Sequence, residues 1–177
     1  MASRSGKTKE RIQQAAMELF AERGVRGTAL WQIAERLNIT KPALYYYFDS
    51  REDLINSLVD PVIEYTEATL TAWESERPAP DKLLERYYDL SIKHRDINLM
   101  VLRDLSLFTG TDLGARTAGW RHRIVALLVG ADADLAAQAR AVIAIGGIAD
   151  CTVMFVDRDP AELRTAALAA ARAALGD

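Results

Sequence analysis

Apolar residues recur along most of the chain at the i, i+3, i+4 spacing of helices, and no stretch alternates in the manner of a strand. The first run, from about Lys7 to Arg23, puts Ile12, Ala15, Ala16, Leu19 and Phe20 on one face and meets Gly24, a residue suited to end a helix. A short second run follows, with Thr28 as a candidate N-cap and Leu30, Ile33, Ala34 and Leu37 on one buried stripe. A third opens at Thr40, another good N-cap. It carries Pro42 in its first turn, where a missing N–H costs little, and buries Leu44 and Phe48. Between the two lies Leu37-Asn38-Ile39, and asparagine tolerates the left-handed backbone that a tight turn between helices requires. Residues 28–51 therefore carry a helix-turn-helix signature.

Ser50 and Asp53 have the spacing of a capping box and announce a longer helix to about Trp73, with Leu54, Leu58, Val62 and Tyr65 along one side. Pro61 lacks an N–H and is expected to bend that helix. The stretch Glu74–Asp81 is expected to be a polar loop. Helical patterns follow at about Lys82–His94, Asp96–Phe108, Asp112–Val129 and Ala133–Val156, with breaks at Thr109-Gly110 and Gly130. Asp159, Pro160 and Glu162 then start a last helix that runs to Leu175. The expected fold is all-α, with a helix-turn-helix domain over residues 1–49 and an antiparallel helical bundle over 50–177.

Charge sharpens this division. Residues 1–48 hold eight Lys and Arg against four Glu, although the chain as a whole has 22 basic and 25 acidic residues and a net charge of −3. A basic N-terminal domain on an acidic body turns the motif toward a polyanion and keeps the body away from it. The single cysteine, Cys151, excludes an internal disulfide and a cysteine metal cluster, which fits a reducing compartment. MASRSGKTKER is followed by no apolar run, and the longest unbroken apolar stretch near the C-terminus is Ala141–Ala149, so neither a secretory signal nor a membrane span is expected and the protein is expected to be cytoplasmic. Catalysis is not expected: His94 and His122 are the only imidazoles, neither in a recognisable nucleophile or metal motif, and no GxxxxGK phosphate loop is present.

The chain from the first helix to about residue 55 resembles the DNA-binding domain of TetR-like transcriptional repressors. The residues that carry the likeness are Thr28, Ile33-Ala34, Leu44-Tyr45-Tyr46-Tyr47-Phe48 and Arg51. Asn38 stands where glycine is usual in the turn, and Trp31 where a polar residue is commoner. The helix from about Lys41 to Tyr47 is the candidate major-groove reader, since a groove about 12 Å wide admits one α-helix. Lys41 and the Thr40 hydroxyl can reach phosphates or base edges, and Pro42 and Ala43 are small enough to lie against a thymine methyl. Consecutive residues are about 100° apart on a helix, so Tyr45, Tyr46 and Tyr47 cannot all face the core. The resemblance implies that Tyr45 and Tyr46 touch DNA backbone and bases, that Tyr47 lies at the groove edge, and that Thr28 and Arg51 contact phosphates. It also implies a non-specific role for Arg4, Lys7 and Lys9. Trp31 is equally suited to lying over sugar and phosphate, to wedging against a base, or to packing on the first helix.

Two further expectations concern the body. Val142, Ile143, Gly146, Ala149, Val153 and Met154 line the penultimate helix, and the last is rich in alanine on nearly every face; apolar surface broader than one stripe wants cover from another chain. The resemblance implies a homodimer through this pair, binding a palindromic double-stranded DNA operator with its reading helices about 34–36 Å apart. The middle helices offer Trp73, Tyr87, Tyr88, Met100, Phe108 and Trp120, with His94 and His122, groups that suit a ligand pocket and equally an ordinary helical core. The resemblance implies a small, often lipophilic or aromatic effector in that region, and a hinge in the helix that contains Pro61. The alternative is the same fold controlled by a protein partner or by no ligand. No cofactor and no metal are expected.

Overall fold

The computed structural model describes residues 4–103 and 113–176, the side chains of residues 4, 5 and 103 excepted. Among them are α1 Arg4–Arg23, α2 Leu30–Arg36, α3 Lys41–Tyr45, α4 Arg51–Glu76, α5 Pro80–Lys93, α6 Arg95–Arg103, α7 Leu113–Val129, α8 Leu135–Met154 and α9 Pro160–Leu175. No strand occurs among the described residues, as the all-α expectation required. Phe108, the break at Thr109-Gly110, Asp112 and the side chain of Arg4 lie outside them.

The chain divides into two compact units, Met1–Ile63 with Asp96–Gly114, and Glu64–Arg95 with Ala115–Asp177, as far as these are described. In the first, α1 packs on α2 and α2 on α3. Ile12, Ala16 and Phe20 of α1, Ile33 of α2 and Leu44 of α3 are wholly buried, as the periodicity required. Gly24 takes φ 75° and ends α1. The turn after α2 is a Schellman motif: the Asn38 N–H donates to the Glu35 carbonyl at 3.0 Å and the Ile39 N–H to that of Ala34 at 3.0 Å, with Asn38 at φ 53°. Ser50 caps α4, its hydroxyl accepting from the Asp53 N–H at 3.0 Å, while the Asp53 carboxylate accepts from the Asp49 N–H at 3.1 Å.

Two boundaries differ from expectation. α4 continues through Pro61 to Glu76, and α5 begins at Pro80, so the polar stretch from Glu74 contributes both a helix end and a helix start. Arg77 stops α4 in a left-handed conformation, φ 47°. Proline is tolerated at the start of α5 because the first N–H groups of a helix have no partner within it.

In the second unit α8 and α9 form a close pair that packs on α5. Asp134 caps α8 and Asp159 caps α9, the latter accepting from the Ala161 and Glu162 N–H groups at 3.0 and 2.9 Å. Arg164 pairs with Asp89 at 3.4 Å, and Arg172 pairs with Asp81. Both partners step by eight residues in opposite senses, which sets α5 and α9 antiparallel. A second polar cluster joins α4 to α7. The Trp120 indole N–H donates to Glu67 at 2.7 Å, and Arg123 reaches Glu67 at 2.6 Å and both oxygens of Glu74 at 2.7 and 2.8 Å.

That cluster is testable through its acid sensitivity. The Trp120 hydrogen bond, with Arg123, holds the Glu67 carboxyl below its ordinary 4.5, and the Arg123 hydrogen bond does the same for Glu74. Carboxyls depressed in the folded state stabilise it above their unfolded values, and that contribution is lost as pH falls through the folded ones. Replacing Arg123 with alanine should cost about 1–2 kcal/mol near neutrality. In urea unfolding, the gap between wild type and variant should shrink between about pH 7 and about pH 3; a gap independent of pH would show that the carboxylates do not carry it.

Candidate nucleic-acid interface

Each exposed side chain of the helix-turn-helix is set by what lies beneath it. α3 starts at Thr40, whose hydroxyl accepts from the Ala43 N–H at 3.3 Å, and Pro42 follows in the first turn. With Leu44 and Phe48 buried, the 100° step turns Tyr46 outward to 80% exposure, the largest of any aromatic in the motif. Tyr45 is 40% exposed, with the Lys41 ammonium 5.7 Å from its ring centre. Tyr47 is half-buried and meets Tyr46 edge to face, ring centres 5.1 Å apart. Lys41, Thr40 and Pro42 are exposed, and Ala43 is half-buried behind them. The regular helix ends at Tyr45 rather than Tyr47, because the Tyr47 N–H turns to the Leu44 carbonyl at 2.9 Å.

Trp31 projects from α2 and is 54% exposed, which excludes packing on α1 as its whole role. It borders a cleft of about 420 Å³ with Lys41, Tyr45, Ser50 and Arg51. Arg51 is half-buried, and its Nε and Nη2 atoms are shut from solvent with no hydrogen-bond partner. A guanidinium in that condition calls for an anion, and the N-terminus of a 26-residue helix adds to the attraction. Asp49, Glu52 and Asp53 in the same stretch oppose it, so Arg51 and Lys41 must outweigh them at short range.

Thr28 is corrected in two respects. It is 2% exposed and its hydroxyl donates to the Leu19 and Gly24 carbonyls at 3.2 and 3.0 Å. It therefore neither caps α2 nor presents its hydroxyl to a phosphate; it ties the loop after α1 to the end of α1. Ala29 precedes α2 instead, with its N–H donating to Gln32 Oε1 at 2.7 Å. Gly27 belongs to the same loop, since a Cβ there would lie 2.3 Å from the Arg23 carbonyl oxygen. Gln32 was legible as the third residue of a helix, where a side chain can reach back; nothing in the local pattern marks Gly27. The basic surface is selective as well: Lys7, Lys9, Arg11 and Lys41 are exposed, whereas Arg36 is paired with Glu18 and Glu22 at 3.2 and 3.3 Å.

Five of the six pocket candidates lie among the described residues. Trp73, Tyr87, Tyr88 and Trp120 belong to the second unit and Met100 to the first. Trp73, Tyr88, Met100 and Trp120 are buried and Tyr87 is half-buried. Trp120 spends its indole N–H on Glu67, but the Tyr88 hydroxyl and His94 Nε2 are buried without a partner. Burial pushes the Tyr88 hydroxyl up and the His94 imidazole down, so both are neutral near pH 7. A cleft of about 430 Å³ in the second unit is lined by Glu74, Arg77, Pro78, Arg123 and Leu127 among others, and by none of the five described candidates.

Residues 12–58 match the model of the bacterial regulatory proteins of the tetR family. The likeness to that family is carried by this portion of the chain. Over 106 residues it is 34% identical to the uncharacterized HTH-type transcriptional regulator YuxN of Bacillus subtilis strain 168, an alignment covering 57% of this chain and 36% of that protein. Over 57 residues it is 40% identical to the HTH-type negative transcriptional regulator IcaR of the biofilm operon icaADBC in Staphylococcus aureus, covering 32% of this chain and 31% of IcaR. The match thus spans about a third of each curated relative. A transcriptional regulator of the TerR/AcrR family from Aquifex aeolicus VF5 has the same fold, with a TM-score of 0.72 at 22% identity over 93% of this chain and 98% of its own.

The inward turn of Thr28 separates a structural from a contact role. Thr28→Val keeps the shape but leaves the Leu19 and Gly24 carbonyls short of a donor, and should cost about 1–3 kcal/mol in denaturant unfolding. In any DNA complex the salt dependence of binding should be unchanged; a slope reduced by about one unit would restore Thr28 as a phosphate contact.

Proposed function

We propose that this chain is a transcriptional repressor whose residues 1–49 bind a palindromic double-stranded DNA operator and whose residues 50–177 regulate and dimerise it in the cytoplasm. The observation that carries the reading is the outward, pre-ordered edge of α3, with Tyr46 at 80% exposure beside Lys41 and Tyr45, set next to an Arg51 guanidinium whose buried Nε and Nη2 lack a hydrogen-bond partner. Thr40, Lys41, Trp31 and Arg51 supply backbone contacts, and Pro42, Ala43, Tyr45, Tyr46 and Tyr47 form the edge that enters the major groove. The described role of IcaR as a negative regulator supports repression.

Dimerisation through α8 and α9 fits the exposed Leu135, Val142, Ile143 and Met154 on α8, of which Ile143 is 65% exposed, and the exposed Ala166, Ala169, Ala170 and Ala173 of α9. By length and composition α8 is also the one helix among the described residues apolar enough to cross a membrane. It packs on α5 and α9 and carries Arg140 and Asp150, so a partner chain covers its outer face better than lipid does.

Release by a small lipophilic or aromatic effector is supported by the unpartnered Tyr88 hydroxyl and His94 Nε2 among buried apolar groups. Control by a protein partner is the second reading, favoured by the use of Trp120 within the fold and by the cleft that lies elsewhere. Pro61, two residues before the boundary between the compact units, suits a hinge that couples either signal to the DNA-binding end.

Selection from random duplex DNA with the purified chain should enrich a palindrome bound by dimers; no enrichment would overturn the reading. On the selected duplex, Lys41→Ala or Arg51→Ala should lower the salt slope by about one unit, and Tyr46→Ala should lose more on the selected site than on random DNA. Compounds that dissolve the selected complex would favour the effector, and a complex that survives all of them the protein partner. Ile143→Glu should convert the dimer to monomer in sedimentation, with DNA affinity falling at least about tenfold as one half-site is lost.

A further inference from the structure

Pro61 has no N–H, so the Ser57 carbonyl, four residues earlier in α4, lacks its normal helical donor. A side chain from another helix stands in that place. Gln13 of α1 directs its amide Nε2 to the Ser57 carbonyl at 3.2 Å and to the Ser57 hydroxyl at 3.0 Å. The hydroxyl in turn donates its own proton to the Leu54 carbonyl at 2.7 Å, so one NH₂ group with two protons meets two acceptors that are free to take them. Gln13 is half-buried and Leu54, Leu58 and Val59 around the site are buried, which raises the cost of an unmet carbonyl.

We propose that Gln13 is a positioning residue for DNA binding, its amide taking up the carbonyl that Pro61 releases and so fixing the first turns of α4, with Arg51, against α1. The inference rests on the DNA-binding reading above and adds to it a residue outside the contact surface. The proline and the glutamine form one device. The proline frees an acceptor at the end of the first compact unit, and the glutamine uses it to join α4 to the helix that underlies the motif. A backbone N–H at position 61 would make the glutamine redundant.

A double-mutant cycle with the full chain tests this. Gln13→Met keeps length and helix propensity but cannot donate, and Pro61→Ala restores the helical N–H. Urea unfolding and affinity for the duplex that the wild type selects from random DNA are measured for both single variants and the double variant, under conditions where circular dichroism shows all of them folded. Gln13→Met should weaken binding about 5–10-fold in the wild-type background and about twofold or less in the Pro61→Ala background. Its salt slope should fall toward that of Arg51→Ala, which a purely structural loss would not cause. The unfolding midpoint should show the same background dependence. Equal midpoint losses in both backgrounds would overturn the carbonyl exchange. A coupled midpoint with equal or absent affinity losses would overturn the positioning role. If the wild type selects no duplex, the DNA-binding reading itself fails and the positioning role falls with it, whereas a coupled midpoint would still record the Gln13–Ser57–Pro61 exchange.

Discussion

The segment that carries the recognition surface, α3, is five residues long, and helices shorter than about 12–15 residues do not persist alone in water. Its shape is therefore borrowed. Leu44 and Phe48 supply the burial, Thr40 and Pro42 fix the first turn, and the Schellman turn at Asn38 fixes the direction in which the chain enters. α2 is only seven residues and depends in the same way on Ile33 and Ala34, and on the loop that Thr28 ties to the end of α1. What is exposed here is set by what is buried. A change that loosens the Leu19–Thr28 hydrogen bond acts on Tyr46 without touching it.

The second unit meets a different difficulty. α8 and α9 are built largely from alanine and small apolar residues, whose smooth surfaces say little about register. Ion pairs supply it, with Arg164 on Asp89 and Arg172 on Asp81 at matched eight-residue steps. Exposed pairs of this kind contribute only about 0.2–1 kcal/mol each, so their value lies in choosing one alignment rather than in holding it. The Glu67, Trp120 and Arg123 cluster is of another sort. Trp120 is buried, its indole N–H needs an acceptor, and a carboxylate shared with Arg123 satisfies both donors while committing α4 and α7 to one geometry.

How much of this could be read from the sequence depends on the range of each interaction. Periodicity marked Ile12, Phe20, Ile33, Leu44, Leu54 and Leu58 as buried, but along α4 it failed at Tyr65, which is 43% exposed; Asn38, Thr40, Ser50 and Asp159 did as predicted because capping and turn chemistry is settled within four residues. Thr28 misled for the same reason: a threonine before a helix has the local signature of a cap, but two carbonyls from the preceding loop and helix claimed its hydroxyl. Gly27 and Gln13 left no signal, since one answers to a backbone oxygen across a loop and the other to an acceptor 44 residues away. Trp73, Tyr88 and Trp120 of the body are buried, which suits a pocket and a plain core alike, and composition could not tell which would be consumed by the fold, as Trp120 is, and which would keep an unmet polar atom, as Tyr88 does.

Three consecutive tyrosines would be an extravagant way to fill a small core, and the fold uses them for different ends. Tyr47 is half-buried and presents its ring to that of Tyr46 at 88°, Tyr45 lies near the Lys41 ammonium, and Tyr46 stands almost free in solvent. An exposed side chain normally surrenders rotamer freedom when it binds, about 0.5–1.5 kcal/mol for a flexible one. A tyrosine has two rotatable angles to begin with, and the edge-to-face contact with Tyr47 restricts Tyr46 before any partner arrives. The same contact joins the most exposed aromatic to a ring held by the core, so its position follows the buried framework. An aromatic fixed in that way can discriminate by shape, where a lysine on a four-carbon stem would contribute charge alone.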